Sequence, residues 1–351
     1  RARAHLARHG LRAVDVRVIP AAAGGPKGLV LTPLDRFLFG SWLKGSAHPI
    51  HLIGASIGAW RMAAACRADP VAALAELAED YVTQTYPRKP GKQPVARDIT
   101  RVFGATLDER LGANATEILS HPRFRLHVVT SRGRRLLARE NRIITPLGYA
   151  AAFAANIANR RAMAGLLERV VFSDPRETLP VRLDDYRTET VALTAQNLSR
   201  SVLASCSIPF WLEAVHDIPD APRGAYWDGG ITDYHLHLDY ARLDGGLKGG
   251  LVLYPHFQAT VVPGWLDKAL KHRHGATSRL DNVVLLVPNA DWVKAVMPRG
   301  KLPDRGDFKL YGEAIPQRMS DWRRAIQEAE RLADDFARLV EQPSIVAKPL
   351  E

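Results

Sequence analysis

The segment Gly54-Ala-Ser-Ile-Gly58 sets a hydroxyl between small residues, the G-x-S-x-G pattern of a nucleophile on a tight strand-to-helix turn. Glycines at Gly54 and Gly58 let the chain bend sharply and hold Ser56 clear of the backbone. The N-terminus of the helix that follows brings its partial positive charge to the same spot. A second group, Gly24-Gly25-Pro26-Lys27-Gly28, has the composition of a loop that turns backbone N–H groups toward an anion. It lacks the spacing of a P-loop and of a dinucleotide-binding G-x-G-x-x-G. It therefore reads either as an oxyanion loop for an acyl-transfer serine or as an ordinary βα turn. A third group, Asp228-Gly229-Gly230, is either a plain Asp-Gly turn or a carboxylate placed to act as base for a serine on a neighbouring strand end.

The surrounding elements must bring these groups together. Residues 14–19 alternate apolar and polar side chains and lead into the Gly-rich loop. Residues 29–43 read as a helix with Leu31, Leu34, Phe37 and Leu38 on one face. The run 49–55 is nearly all apolar, as suits a strand covered on both sides, and it enters Ser56 directly. A helical pattern over 57–67 follows. Strand, Gly-rich turn, helix, strand, sharp turn, helix is the opening of a parallel sheet covered by helices. Further strands are expected at 124–130, 169–172, 190–194, 250–254 and 283–287, with a short strand-like run before Asp228 and a helix over 198–207. Residues 69–120 read as a helical insertion interrupted by the basic, proline-containing stretch 87–94. Ile315, Met319, Trp322, Ile326, Ala329, Ala333, Phe336 and Val340 recur at alternating spacings of four and three. They predict one long amphipathic helix over about 315–341, packed on its own domain or forming a dimer seam. Residues 1–351 thus read as a single α/β domain, a three-layer sandwich around a central, mainly parallel sheet.

Taken together and in this order, the motifs resemble those of the patatin-like phospholipases. That family carries G-G-G-x-[RK]-G, then G-x-S-x-G, then an Ala-Ser helix ending in Pro, then D-G-[GA]. The matching residues here are Ala23-Gly24-Gly25-Pro26-Lys27-Gly28, Gly54-Ala-Ser-Ile-Gly58, Ala204-Ser-Cys-Ser-Ile-Pro209 and Asp228-Gly229-Gly230. Ala23 departs from the first glycine. The resemblance spans about 14–232 and implies a lipid acyl hydrolase in which Ser56 is the nucleophile and Asp228 its base, a dyad without histidine. It further implies an oxyanion hole from the backbone N–H groups of Gly24, Gly25 and Ile57. Pro26 has no N–H to give. Lys27 holds the loop or adds positive potential, and Gly28, Gly54, Gly58, Gly229 and Gly230 support the turns.

Two other readings compete. One is an α/β-hydrolase with a Ser–Asp–His triad, because His235, His237, His256, His272 and His274 all follow Asp228. Only two strands precede Ser56, however, and that fold gives no reason for a Gly-rich loop so near the N-terminus. The other is a catalytically silent lipid- or protein-binding module. The alternations His235-Leu-His237-Leu-Asp239 and His272-Arg-His274 match no zinc signature and read as core or surface histidines, so no metal or cofactor is expected.

Composition bounds what remains. With 46% hydrophobic and 24% charged residues the chain is neither disordered nor a coiled-coil rod. Its 48 Lys and Arg outweigh 37 Asp and Glu to give +11. The basic groups at Arg132, Arg134, Arg135, Arg139 and Arg142, at 87–97 and at 268–279 hold few of the interleaved aromatics that single-stranded nucleic acid needs. An anionic membrane surface fits them better. No run reaches the roughly 18 apolar residues of a spanning helix, so lipid contact is expected to be peripheral. Cys66 and Cys206 are too few for a disulfide framework and suggest either a reducing, cytoplasmic setting or incidental thiols. Phe210, Trp211 and Trp265 either line an apolar mouth or pack in the core.

Overall fold

The apolar run before Ser56 forms a strand, β2 (Ile50–Ala55), with every residue buried. In the computed structural model, which describes residues 1–88, 93–243 and 250–350, it lies at the centre of an eight-stranded sheet. The others are β1 (Val16–Ala21), β3 (Phe124–Gly133), β4 (Leu167–Ser173), β5 (Thr188–Ala192), β6 (Tyr226–Trp227), β7 (Leu251–Pro255) and β8 (Val283–Leu286). The order is β5-β4-β3-β2-β1-β7-β8, and β6 pairs with β3. β1, β2, β3, β7 and β8 are parallel neighbours, β4 runs antiparallel to β3, and β5 is parallel to β4. The result is a three-layer α/β fold with a mainly parallel sheet.

Alternate strand residues feed two cores, one on each face. Leu52, Leu126 and Leu253 pack with the helices Thr32–Gly40, Ile57–Ala65, Ala96–Leu107 and Leu198–Cys206. Ile53, Val129 and Val252 pack on the opposite face against the segment 236–243, Phe257 and Met297. That second face is covered by loops and short helices more than by long ones.

Registry brings the candidate residues to one edge. Ala21 pairs with Gly54 and Ala55 with Val129, so β1 and β2 end side by side. The two-residue β6 pairs Trp227 with Ser131 and delivers Asp228 to the same place. This is the carboxyl edge of the parallel strands, where open α/β sheets gather their ligands.

Two elements, the helix after the Gly-rich loop and the C-terminal one, differ from expectation, while 69–120 is helical as expected. The helix predicted over 29–43 begins earlier, as a 3₁₀ segment Gly25–Leu31, and becomes α-helical only at Thr32–Gly40, where Pro33 sits at the permitted first turn. The helical region includes Pro70–Thr83, Ala96–Leu107, a π-turn Asp108–Gly112 and Ala115–Leu119. Lys89, Pro90, Gly91 and Lys92 of the basic stretch within it lie outside the described residues. The C-terminal pattern forms two helices, Ile315–Glu328 and Glu330–Val340, hinged at Ala329. The hinge lets each half reach a different cluster: Trp322 packs on Tyr81 and Phe308, whereas Phe336 packs edge-on to Phe37 and Trp42.

Candidate active site

Ser56 has φ 56° and ψ −129°, a left-handed conformation that a serine adopts only under constraint. The constraint comes from both sides of the turn. A Cβ on Gly58 would fall 1.9 Å from the carbonyl oxygen of Ala21, so the helix Ile57–Ala65 can lie against the end of β1 only because that residue is glycine. On the other side, the Ser56 N–H donates to Ser205 Oγ at 2.8 Å, and Ser205 Oγ–H donates to the Val129 carbonyl at 2.6 Å. The serine of the Ala204-to-Pro209 segment thus fastens the turn to β3. The same segment holds Asp228 and Gly229, whose N–H groups donate to the carbonyls of Ser207 at 2.9 Å and Ser205 at 3.1 Å.

These supports aim Ser56 Oγ at Asp228. The hydroxyl donates to Asp228 Oδ2 at 2.7 Å, and the Gly230 N–H donates to Oδ1 at 2.7 Å. Both side chains are buried, Ser56 at 5% and Asp228 at 6% exposure. Burial lifts the Asp228 carboxyl to about 6, while Ser56, the Gly230 N–H, Arg305 and Lys268 pull the other way. The carboxylate is therefore more basic than usual yet still ionised near neutrality. Cys206, buried beside this pair, has its thiol held well above the ordinary range, chiefly by burial and then by the Asp228 charge.

Ala23, Gly24 and Gly25 line the narrow pocket (≈50 Å³) over Ser56 together with Pro209, Trp265, Lys268 and Arg305. Gly25 has φ +56° and opens a 3₁₀ helix, and Ile57 opens an α-helix. Amides at the first positions of a helix have no acceptor within their own helix. The Ala23 N–H is already given to the Tyr234 carbonyl at 2.9 Å. Gly28 lies against Ile57, and Lys27 rests with Nζ 5.3 Å from the Phe257 ring centre, its pKa lowered by burial. Lys27 itself does not line the pocket.

The pocket shares Ile208 and Arg305 with an adjoining groove (≈120 Å³) walled by Tyr81, Tyr86, Ile99, Leu212 and Phe308 among others. A larger cavity (≈550 Å³) lies against β8 and the helix Glu330–Val340, with neither Ser56 nor Asp228 in its wall.

The histidines lie elsewhere. None lines the Ser56 pocket. His51 Nδ1 meets His127 Nε2 at 3.0 Å, and burial pulls His51 down to about 4. His235 accepts the Val262 N–H at 2.9 Å, and His256, driven down to about 3 by burial, packs edge-on against it. The alternation from His235 to Asp239 falls on irregular chain after the short helix Gly230–Asp233 rather than on a strand. Among the described residues no three metal-ligating side chains converge.

The profile of the family described as patatin-like phospholipase matches residues 37–236, more than half of the chain and a span that contains both Ser56 and Asp228. The chain belongs to the patatin-like phospholipase family. Lipid acyl hydrolysis is the activity this membership supports. No curated protein sequence gives a significant match. Among solved structures, VipD from Legionella pneumophila is similar at 12% identity and TM-score 0.40, over 92% of this chain and 67% of that one. The type III effector protein ExoU is similar at 12% and 0.31, over 94% and 56%. ExoU in complex with SpcU, from the type III secretion system of Pseudomonas aeruginosa, gives 11% and 0.33, over 95% and 53%. The chain thus spans little more than half the length of the ExoU chains.

Within this patatin-like site, sequence reasoning missed the two cations. Lys268 stands in a basic stretch that reads as a solvated face, and Arg305 belongs to no motif. Both lie beyond the family-matched span. In the structure, Lys268 Nζ sits 4.0 Å from the Tyr234 ring centre and the Arg305 guanidinium 5.3 Å from that of Trp211. Neither makes an ion pair with a carboxylate among the described residues, and burial, with Lys27 and Arg305 nearby, pushes Lys268 down to about 8. No spacing rule would have singled them out. Phe210 and Trp211 are exposed, Trp211 in the wall of the adjoining groove, and Trp265 is in the wall of the Ser56 pocket.

Proposed function

We propose that the protein is a serine-dependent lipid acyl hydrolase of phospholipase A or esterase type, acting through a Ser56–Asp228 dyad within one domain. The observation that carries this reading is the 2.7 Å hydrogen bond from Ser56 Oγ to a buried carboxylate whose only other hydrogen bond, among the described residues, comes from the Gly230 N–H. Asp228 takes the hydroxyl proton as Oγ attacks the ester carbonyl. The amides of Gly24, Gly25 and Ile57 receive the developing oxyanion. Collapse expels the alcohol, which leaves with the proton held on Asp228, and an acyl-enzyme remains on Ser56. Asp228 then deprotonates a water, which attacks the acyl carbonyl. Expulsion of Ser56 Oγ, reprotonated by Asp228, closes the cycle.

The adjoining apolar groove suits an acyl chain. Lys268 and Arg305, cations without a carboxylate ion-pair partner among the described residues, suit an ester whose alcohol part carries phosphate or another anion. The +11 charge and the absence, among the described residues, of any helix long and apolar enough to cross a membrane fit reversible contact with an anionic lipid surface. The test is hydrolysis of a lipid panel by wild type and Ser56→Ala, with products identified by mass, beside fluorophosphonate labelling. Labelling at Ser56 with ester cleavage by wild type alone is the expected result. An unlabelled, inactive folded protein would instead establish a silent binding module.

A further inference from the structure

The helix Ile144–Ala158 contains no charged residue in its 15 positions, yet one side of it faces solvent. Its inward stripe, Thr145, Gly148, Tyr149, Ala152 and Asn156, is buried. Its outward face carries Ile144 at 43% exposure, Leu147 at 61% and Ile157 at 50%, with exposed alanines between them. Ile143, at 73%, and Leu136, at 47%, widen the patch at its N-terminal end. Phe210, 59% exposed, stacks edge-on to Tyr149 at 5.9 Å and joins the patch to the site, since its neighbour Pro209 lines the Ser56 pocket. From the inner side, Tyr149 also meets Trp227, the residue before Asp228, at 6.0 Å.

The charges around this face are one-sided. Residues 134–162 hold six arginines and one carboxylate, Glu140, which is occupied by the Ala214 N–H. Arg160 is tied to Asp233 and Asp267. Arg135, Arg139 and Arg142 are exposed at one end of the helix with no carboxylate partner among the described residues, and Arg161 is exposed at the other. An uncharged apolar face with arginines at both ends is matched by a bilayer: side chains enter the acyl boundary while long cationic stems reach the phosphates.

We propose that the outward face of this helix seats the protein on membranes containing anionic phospholipid and sets the Ser56 pocket at the interface. The proposal rests on the lipid hydrolase reading for its purpose but is tested apart from it. Binding to vesicles of phosphatidylcholine with phosphatidylglycerol is measured by sedimentation for wild type, Ile144→Asp/Leu147→Asp and Arg135→Gln/Arg139→Gln/Arg142→Gln, with turnover of a soluble short-chain ester in parallel. All the replaced side chains are exposed, so thermal melts should coincide. The aspartate pair should weaken vesicle binding on the order of tenfold or more. The arginine triple should lose most of the salt-sensitive part, and soluble-ester turnover should stay at the wild-type level. Wild-type binding by the aspartate pair would overturn the proposal, as would equal wild-type binding to vesicles of phosphatidylcholine alone. Absent vesicle binding with tight binding to an acidic protein would overturn it in favour of a protein partner. Vesicle binding with these losses but no ester turnover would uphold the surface and refute the hydrolase reading.

Discussion

The proposed mechanism asks Asp228 to be a base while buried, and its environment makes that demand measurable. With its carboxyl lifted to about 6 by burial, kcat/KM for a soluble ester should fall as pH drops through about 6, because only the ionised form accepts the Ser56 proton. Arg305 and Lys268 oppose that lift. Arg305→Ala should therefore move the acidic limb to higher pH and raise KM for anionic esters more than for neutral ones; an unmoved limb would remove Arg305 from the site's electrostatics. Ser56→Ala and Asp228→Asn should each lower kcat on the order of 10⁴-fold. The same burial has a stability sign. A carboxyl whose folded pKa exceeds its ordinary 3.8 stabilises the fold fully below that value, and the contribution is lost as pH rises through about 6. At pH 8 the charged group costs on the order of 3 kcal/mol. Thermal melts of Asp228→Asn should accordingly gain on wild type between pH 4 and pH 8, and a constant gap would show that the carboxyl is not raised.

At the scale of elements, the site is made by one turn and by the segment that clamps it. Ser205→Ala leaves the Ser56 N–H buried without its acceptor, a loss of about 1–3 kcal/mol. It should lower kcat with KM unchanged, since Ser205 touches the turn and not the pocket wall; a pure drop in melting temperature with normal kcat would mean that its role is structural alone. Gly58→Ala drives a Cβ into the Ala21 carbonyl and should lower both the melting temperature and activity. These elements also show what was readable from sequence. The glycines around Ser56 and the nearly all apolar strand before it predicted their own geometry, because tight turns and doubly covered strands leave compositional marks. The motif Ala204-Ser-Cys-Ser-Ile-Pro209 was recognisable, but its clamp on Ser56 is a contact across 149 residues of chain, made while the same segment also holds Asp228. The heptad-like C-terminal pattern foretold amphipathic helix and not its hinge, since the apolar spacing runs through Ala329 unbroken while the two halves pack on different clusters.

Across the whole molecule, the groove beside the Ser56 pocket draws its walls from both inside and beyond the family-matched span. The helices between 69 and 120 carry no catalytic motif, and their place became legible only when the fold set Tyr81, Tyr86 and Ile99 opposite Ile208, Leu212 and Phe308, residues separated by more than a hundred positions. Phe308 comes from beyond the family-matched span, so the groove joins the helical region to the C-terminal one. If this groove receives the acyl chain, its bore fixes the chain length accepted, while the ester itself is bound at Ser56 in the adjoining pocket. Ile99→Phe narrows the groove without touching Ser56, Asp228 or Gly24. The added volume should cost about 1–3 kcal/mol of stability, visible as a lower melting temperature. Turnover of acetate or butyrate esters should remain within threefold, whereas long-chain esters should lose on the order of tenfold, because the pocket over Ser56 is too narrow to hold more than the first carbons. A chain-length profile identical to wild type, in a variant whose short-ester activity is intact, would place the acyl chain outside this groove.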